Sequence, residues 1–199
     1  MTRVDPPEVD PPRVNPRSVR AHNDVLAATV ALLDEGGLPA ATVDAISARS
    51  GVSKATIYKH WPNRTAVAAE AFGRRMADAI PLPDTGNARD DLAEQVRRVS
   101  AFYAGHHGRV FAQLLAATVA EPEAARFFRE FFLDGRRQAV AVLWDRALSR
   151  GEVKASVSVE TAIDLLFGPL IFRLLAGHAP LTVAEADAIA AAALTGLLA

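Results

Sequence analysis

Between Thr42 and Thr65 the chain reads TVDAISARSGVSKATIYKHWPNRT, and no other stretch constrains the fold as tightly. Thr42 stands where an N-cap belongs, with Asp44 in the first turn of a short helix ending near Arg49. Ser50-Gly51-Val52 is a tight turn, and glycine supplies the backbone freedom it needs. Ser53 caps a second short helix, from Lys54 to His60. It must stop there, because Trp61 precedes Pro62 and a pre-proline residue avoids the α region. Asn63 caps a longer helix running to about Ile80. Two short helices joined by such a turn have the geometry of a helix-turn-helix. In that arrangement Ile46, Val52 and Ile57 face inward, and Lys54, Thr56, Tyr58, Lys59 and His60 lie largely outside.

The rest of the chain reads as helix and short loop, since no window alternates apolar and polar residues long enough for a strand. A first helix runs from about Ser18 to Glu35, where Gly36 and Gly37 stop it. Pro81 to Gly86 (PLPDTG) is the best boundary between domains. Beyond it five segments follow. One spans about Asp90 to His106, and one Arg109 to Ala120. A long one begins with Pro122 in its first turn, ends before Gly151 and is open to a break at Asp134-Gly135. Another spans Ser158 to Ala176. The last opens at Thr182, with Glu185 completing a capping box. The expectation is an all-α protein of about nine helices. A disordered proline-rich tail covers residues 1–16, a three-helix helix-turn-helix domain residues 17–80, and a helical domain residues 86–199.

Composition removes several function classes. There is no cysteine, which excludes disulfides, thiolate zinc sites, iron–sulfur clusters and a cysteine nucleophile, and fits a reducing cytoplasm. The net charge of −1 excludes a wholly basic nucleic-acid coat, although residues 1–75 carry two more basic than acidic side chains. The first sixteen residues hold charges and prolines but no apolar signal-peptide core, and no apolar run reaches the roughly 20 residues of a membrane span. Gly-x-Ser-x-Gly, Walker, dinucleotide-glycine, Ser-x-x-Lys and HExxH patterns are all absent, so no enzyme activity and no cofactor are expected. No metal site is expected either. His60 has no second ligand at suitable spacing, and the adjacent His106 and His107 point about 100° apart on a helix.

The chain has no acid from Ser50 to Ala69, while it carries Lys54, Lys59 and Arg64, with Arg17 and Arg20 supplied nearby at the start of the first helix. Such a face suits phosphate. Lys and Arg bring charge, Thr42 and Tyr58 bring hydroxyl donors, and helix N-termini bring backbone N–H groups. The plain alternative is a solvated helix with ordinary surface charge.

Residues 18–75 strongly resemble the DNA-binding domain of the TetR family of bacterial transcriptional regulators. The resemblance rests on AATVALLDEGG and on ATVDAISARSGVSKATIYKHWPNRTAVAAEA, above all on Ser-Lys-Ala-Thr-Ile-Tyr followed by His and Trp-Pro. DLLFGPLIFRLL is the best match of the second half to the family's ligand-binding and dimerisation domain. The resemblance implies that Thr42 and Arg64 contact phosphate and that Tyr58 and His60 contact the DNA backbone. Lys54, Ala55, Thr56 and Lys59 would enter the major groove. Ser47 and Ser50 replace alanines common in the family, and Asp44 stands where some members read a base. By the same resemblance the protein is a cytoplasmic homodimer on an inverted-repeat operator in double-stranded DNA, most often a repressor, released by an unknown small molecule. The alternative is a helical DNA-binding protein without a small-molecule effector.

Ten aromatic residues from Phe102 to Phe172 lie in the second half. Among them Phe102, Phe111, Trp144 and Phe167 are the expected ligand-lining side chains, with Tyr103, Gln113 or Arg173 as polar anchors. Gly168-Pro169 marks a packing kink or a pocket wall. Ile163, Leu166, Phe167, Leu170, Ile171, Leu174 and Leu175 form a wide apolar stripe, and Leu165 and Phe172 lie off it. A helix apolar on two faces needs two partners. With the alanine-rich last helix it suggests a two-fold four-helix interface.

Overall fold

The computed structural model describes residues 16–198, and every regular element among them is a helix. Helix α1 spans Pro16–Ala40, α2 Val43–Ser50, α3 Lys54–His60, α4 Arg64–Ala79, α5 Ala88–Ala104 and α6 His106–Ala120. Helix α7 (Pro122–Phe128) passes through a π-helical turn (Arg129–Leu133) into α8 (Asp134–Ser149); α9 spans Val159–Ala176 and α10 Val183–Leu197. Arg129 and Asp134 keep helical dihedrals, so α7, the π turn and α8 form one rod, as the expectation of a single long segment from Pro122 implied. The rod changes its winding just before Asp134-Gly135 rather than breaking there.

Most of the expected tail lies outside the described residues; Pro16, its last member, opens α1, where a proline sacrifices no helical hydrogen bond. Gly36 and Gly37 leave helical geometry as expected, but one further helical turn, Leu38 to Ala40, follows them. Gly37 has φ 67°, a backbone conformation that favours glycine, and a Cβ there would meet Gln113 Oε1 at 2.4 Å and push that side chain aside. At the other end of the chain, Thr182 caps α10 through the Glu185 N–H. The expected capping box is incomplete, however, because the Glu185 carboxylate pairs with Arg173 of α9 instead of returning to the cap.

Helix α4 is the axis of the molecule. From Thr65 to Phe72 only Glu70 escapes full burial, so α4 is enclosed on nearly all sides in its first half. Its small residues Ala66, Ala68, Ala69 and Ala71 let α1 pack closely on it. Farther along, Phe72 meets Phe102, Phe111 and Phe132 with ring centroids 5.6–6.1 Å apart. One apolar core therefore runs from α1 to α10, across the irregular link at residues 80–87. Each fully buried large side chain in it contributes about 1.5–3 kcal/mol.

In α9 the buried side is Ala162, Ile163, Leu166 and Leu170, so most of the wide apolar stripe closes the core of this chain. The second face remains outside, with Leu165 and Phe172 49% and 65% exposed, and Leu175, expected in the stripe, is 53% exposed at the end of the helix instead. In α10, Ala186, Ala190, Leu194 and Leu197 are buried, and Ala184, Ala188, Ala191 and Ala192 face outward. No helix is long and apolar enough to cross a membrane among the described residues.

Candidate nucleic-acid interface and internal cavity

Helices α2 and α3 are each too short to persist alone, and side-chain hydrogen bonds at their ends hold them. Thr42, Ser53 and Asn63 accept the N–H groups of Ala45, Thr56 and Ala66 at 3.0–3.2 Å. Gly51 ends α2 in the left-handed region at φ 71°, returning its N–H to the Ser47 carbonyl. The two serines act within this turn: Ser47 Oγ donates to the Val52 carbonyl at 2.8 Å, and Ser50 Oγ accepts the Val52 N–H at 3.2 Å. Read only as small residues, they did not reveal this role in the sequence. Beneath the turn Ile46 and Ile57 are wholly buried.

A side chain that sequence reasoning passed over fixes α3 on α4. Glu70, one turn and a half into α4, accepts the Trp61 indole N–H at 2.6 Å through one oxygen. Its other oxygen lies 2.8 Å from Nε2 of His22 on α1. The His22 ring stacks on Trp61 at 4.6 Å. Trp61 is thus a wedge between α1, α3 and α4, with its one polar atom satisfied. An isolated glutamate in the alanine-rich run AVAAEAF was the available signal.

The expected DNA-contacting residues are mostly solvent-exposed side chains on and around α3. Thr42, Lys54, Ala55, Tyr58, Lys59, His60 and Arg64 are exposed and Thr56 is half-buried, its hydroxyl 2.9 Å from Ser53 Oγ. Tyr58 is 53% exposed despite its large ring. Lys59 and His60 lie in the last turn of α3, where the Lys59 ammonium complements the helix dipole. The surface is not free of acid in space, although the sequence from Ser50 to Ala69 is. Asp44 reaches across from α2 and pairs with Lys54. The hydrogen bond to that carboxylate holds the Lys54 ammonium above its ordinary pKa.

Comparison with known proteins assigns this architecture. Residues 25–71 match the family model described as bacterial regulatory proteins of the tetR family. Residues 82–193 match that of the tetracyclin repressor-like C-terminal domain. The chain belongs to the TetR family. It is similar to the HTH-type transcriptional regulator YdeS of Bacillus subtilis, with 36% identity over 80% of both chains. It also resembles the solved TetR family transcription regulator SCO0332, at 30% identity with a TM-score of 0.83, covering 89% of this chain and 98% of that one. A third neighbour, a FadR of Bacillus subtilis solved with stearoyl-CoA, shares the fold at 20% identity and a TM-score of 0.63, over 88% and 98% of the two chains. This TetR-family chain is a helix-turn-helix transcriptional regulator and not an enzyme.

The second half of this TetR-family protein holds a cavity of about 180 Å³ between α4, α5, α6, the π turn, α8 and α9. Phe111 and Phe167 line it, as do Tyr103 and Gly168, the residue before the expected kink. Phe102 and Trp144 do not. Phe102 is turned away, stacked on His107 at 4.3 Å, and Trp144 is buried in the core. Nor do Gln113 and Arg173 reach the cavity. Gln113 accepts the Leu38 N–H at 2.8 Å beside the α1 kink, and Arg173 is held by Glu185. The polar groups that do line the cavity include Gln95 and Arg136, which sequence reasoning missed. Gln95 shares its inward register with Leu92, Val96 and Val99, and a glutamine in such a stripe was the available sign.

Proposed function

We propose that this TetR-family regulator is a cytoplasmic two-fold dimer that represses transcription from an inverted-repeat operator and is released by a small molecule bound in the α4–α9 cavity. The observation that carries the reading is the position of α4. Near its start Glu70 accepts the indole N–H of Trp61, which ends the recognition helix α3; farther along, Met76 lines the cavity. A helix of this length spans about 24 Å as a rigid rod. A ligand that shifts its far end moves α3 against DNA. Helix α6 supplies a second link, because Gln113 binds the backbone at the α1 kink and His106 Nε2 lies 3.0 Å from the Leu33 carbonyl.

Thr42, Tyr58, His60 and Arg64 serve as backbone contacts, and Lys54, Ala55, Thr56 and Lys59 enter the major groove. One seven-residue recognition helix specifies few base pairs, so two copies read half-sites about 34–36 Å apart. The exposed apolar faces of α9 and α10 supply the two-fold contact, and the outward alanines of α10 permit close approach. The solved FadR holds stearoyl-CoA, which supports a ligand-binding role for this half of the fold. A gel shift on DNA flanking the protein's own coding region, repeated with a compound library, tests the reading. Binding should fall steeply with salt as phosphate counterions are released, and at least one compound should weaken it saturably. A binding curve flat between low and physiological salt overturns the DNA assignment.

A further inference from the structure

Two neighbouring arginines line the cavity, and they are in different circumstances. Arg137 is tied to Glu160 and Asp164, so its charge is answered. Arg136 makes no hydrogen bond or ion pair among the described residues, although it is only partly exposed and lies beside a mostly apolar wall that includes Phe132, Val140 and Phe167. Burial lowers its pKa from the ordinary guanidinium value, and Tyr103 is the group that opposes this. Tyr103 is almost wholly buried, and burial raises its pKa, so the phenol keeps its proton as a donor. Gln95 is wholly buried in the same wall, and neither its amide oxygen nor its amide nitrogen has a partner. Buried polar groups without partners are rare in native proteins and call for an explanation.

From this placement of Arg136, Tyr103 and Gln95 around one apolar cavity we infer that the effector is an organic monocarboxylate about one aromatic ring in size. The inference rests on the reading of the cavity as the effector site. A guanidinium presents two parallel N–H donors that match a carboxylate. Tyr103 donates to the same group, and Gln95, donor and acceptor at once, takes a second polar substituent such as a ring hydroxyl. Size limits the apolar part: an apolar protein cavity of about 150 Å³ holds one benzene, and this one measures about 180 Å³. Charge limits the polar part. One unanswered cation matches one negative charge, and the neighbouring cluster, in which Glu160 and Asp164 share the single guanidinium of Arg137, leaves a net negative charge that opposes a dianion such as a phosphate monoester.

The test uses the full chain, with benzoate, 4-hydroxybenzoate and hexanoate as probes and benzamide and benzyl alcohol as neutral counterparts. Calorimetry should show the carboxylates binding at least tenfold tighter than the neutral compounds. Arg136→Met should abolish that preference, and Gln95→Leu should erase the advantage of 4-hydroxybenzoate over benzoate. Without any probe, Arg136→Met should raise Tm, because it removes a cation with no partner; a lowered Tm would make Arg136 a structural residue and overturn the assignment. Equal affinity for neutral compounds, a preference surviving in Arg136→Met, or no carboxylate binding at millimolar concentration would each overturn it as well. Release of the operator by a neutral compound would sink the carboxylate while leaving the effector reading in place. Carboxylate binding that leaves operator affinity unchanged would do the reverse.

Discussion

Replacing Glu70 by alanine is the sharpest probe of how α3 is held. The substitution removes two hydrogen bonds that the carboxylate accepts, one from Trp61 at 2.6 Å and one from His22 at 2.8 Å. Trp61 is 1% exposed, so its N–H is left buried without a partner. A hydrogen bond to a charged group is worth about 1.5–3 kcal/mol, and an orphaned buried donor costs a similar amount. The His22–Glu70 contact is about a quarter to a third exposed on both sides and is discounted for solvent to roughly 1 kcal/mol or less. The total is about 2–3 kcal/mol of stability. For a chain of this size, at about 2–4 °C per kcal/mol, Tm should fall by about 5–10 °C. A double-mutant cycle isolates the indole bond. In a Trp61→Phe background no N–H remains to be orphaned, so Glu70→Ala should cost about 2 kcal/mol less by chemical denaturation. The same variant should weaken binding to all DNA sequences, since the whole recognition helix loses its anchor. An equal cost in both backgrounds, or a Tm within 1 °C of the parent, would refute the wedge.

Asp44→Asn should tighten binding to any DNA several-fold at low salt, because it removes the acid paired with Lys54 on the surface proposed to meet DNA; filter binding across a salt series should show the gain fading as screening rises. Tyr58→Phe, Thr42→Ala and Arg64→Ala should weaken all sequences about equally, whereas Lys54→Ala should also relax base preference in selection from random DNA. Phe172→Glu and Ala188→Glu lie on the outward faces of α9 and α10 and should give folded monomers by light scattering that no longer bind operator, while Leu174→Glu, which packs against the core, should lower Tm instead. Burial beside Phe102 lowers the pKa of His107, so the folded state disfavours its protonation; stability should be complete above the unfolded value of 6.5 and decline as pH falls from there toward the lowered value, and His107→Gln should flatten that limb of a Tm–pH profile.

Local signals determined much of this protein. Thr42, Ser53, Asn63 and Thr182 are the N-caps that their spacing predicts, because a cap depends on residues three apart along one chain. Gly36-Gly37, Gly51 and Trp61-Pro62 likewise interrupt or end helices by backbone sterics alone, and the Ser-Lys-Ala-Thr-Ile-Tyr run was enough to suggest the family. What the sequence could not supply depends on residues far apart in the chain. Asp44 meets Lys54 only when α2 folds onto α3, so a stretch without acids became a surface with one. Glu70 has a role only because Trp61 and His22 converge on it from two other helices. Nothing local distinguishes Arg136 from Arg137, and only the approach of α9, carrying Glu160 and Asp164, neutralises one and leaves the other beside the cavity. The two apolar faces of α9 were legible as a pattern. Which one closes the core was decided by packing, since periodicity gives the angle between two stripes but not the direction in which either points.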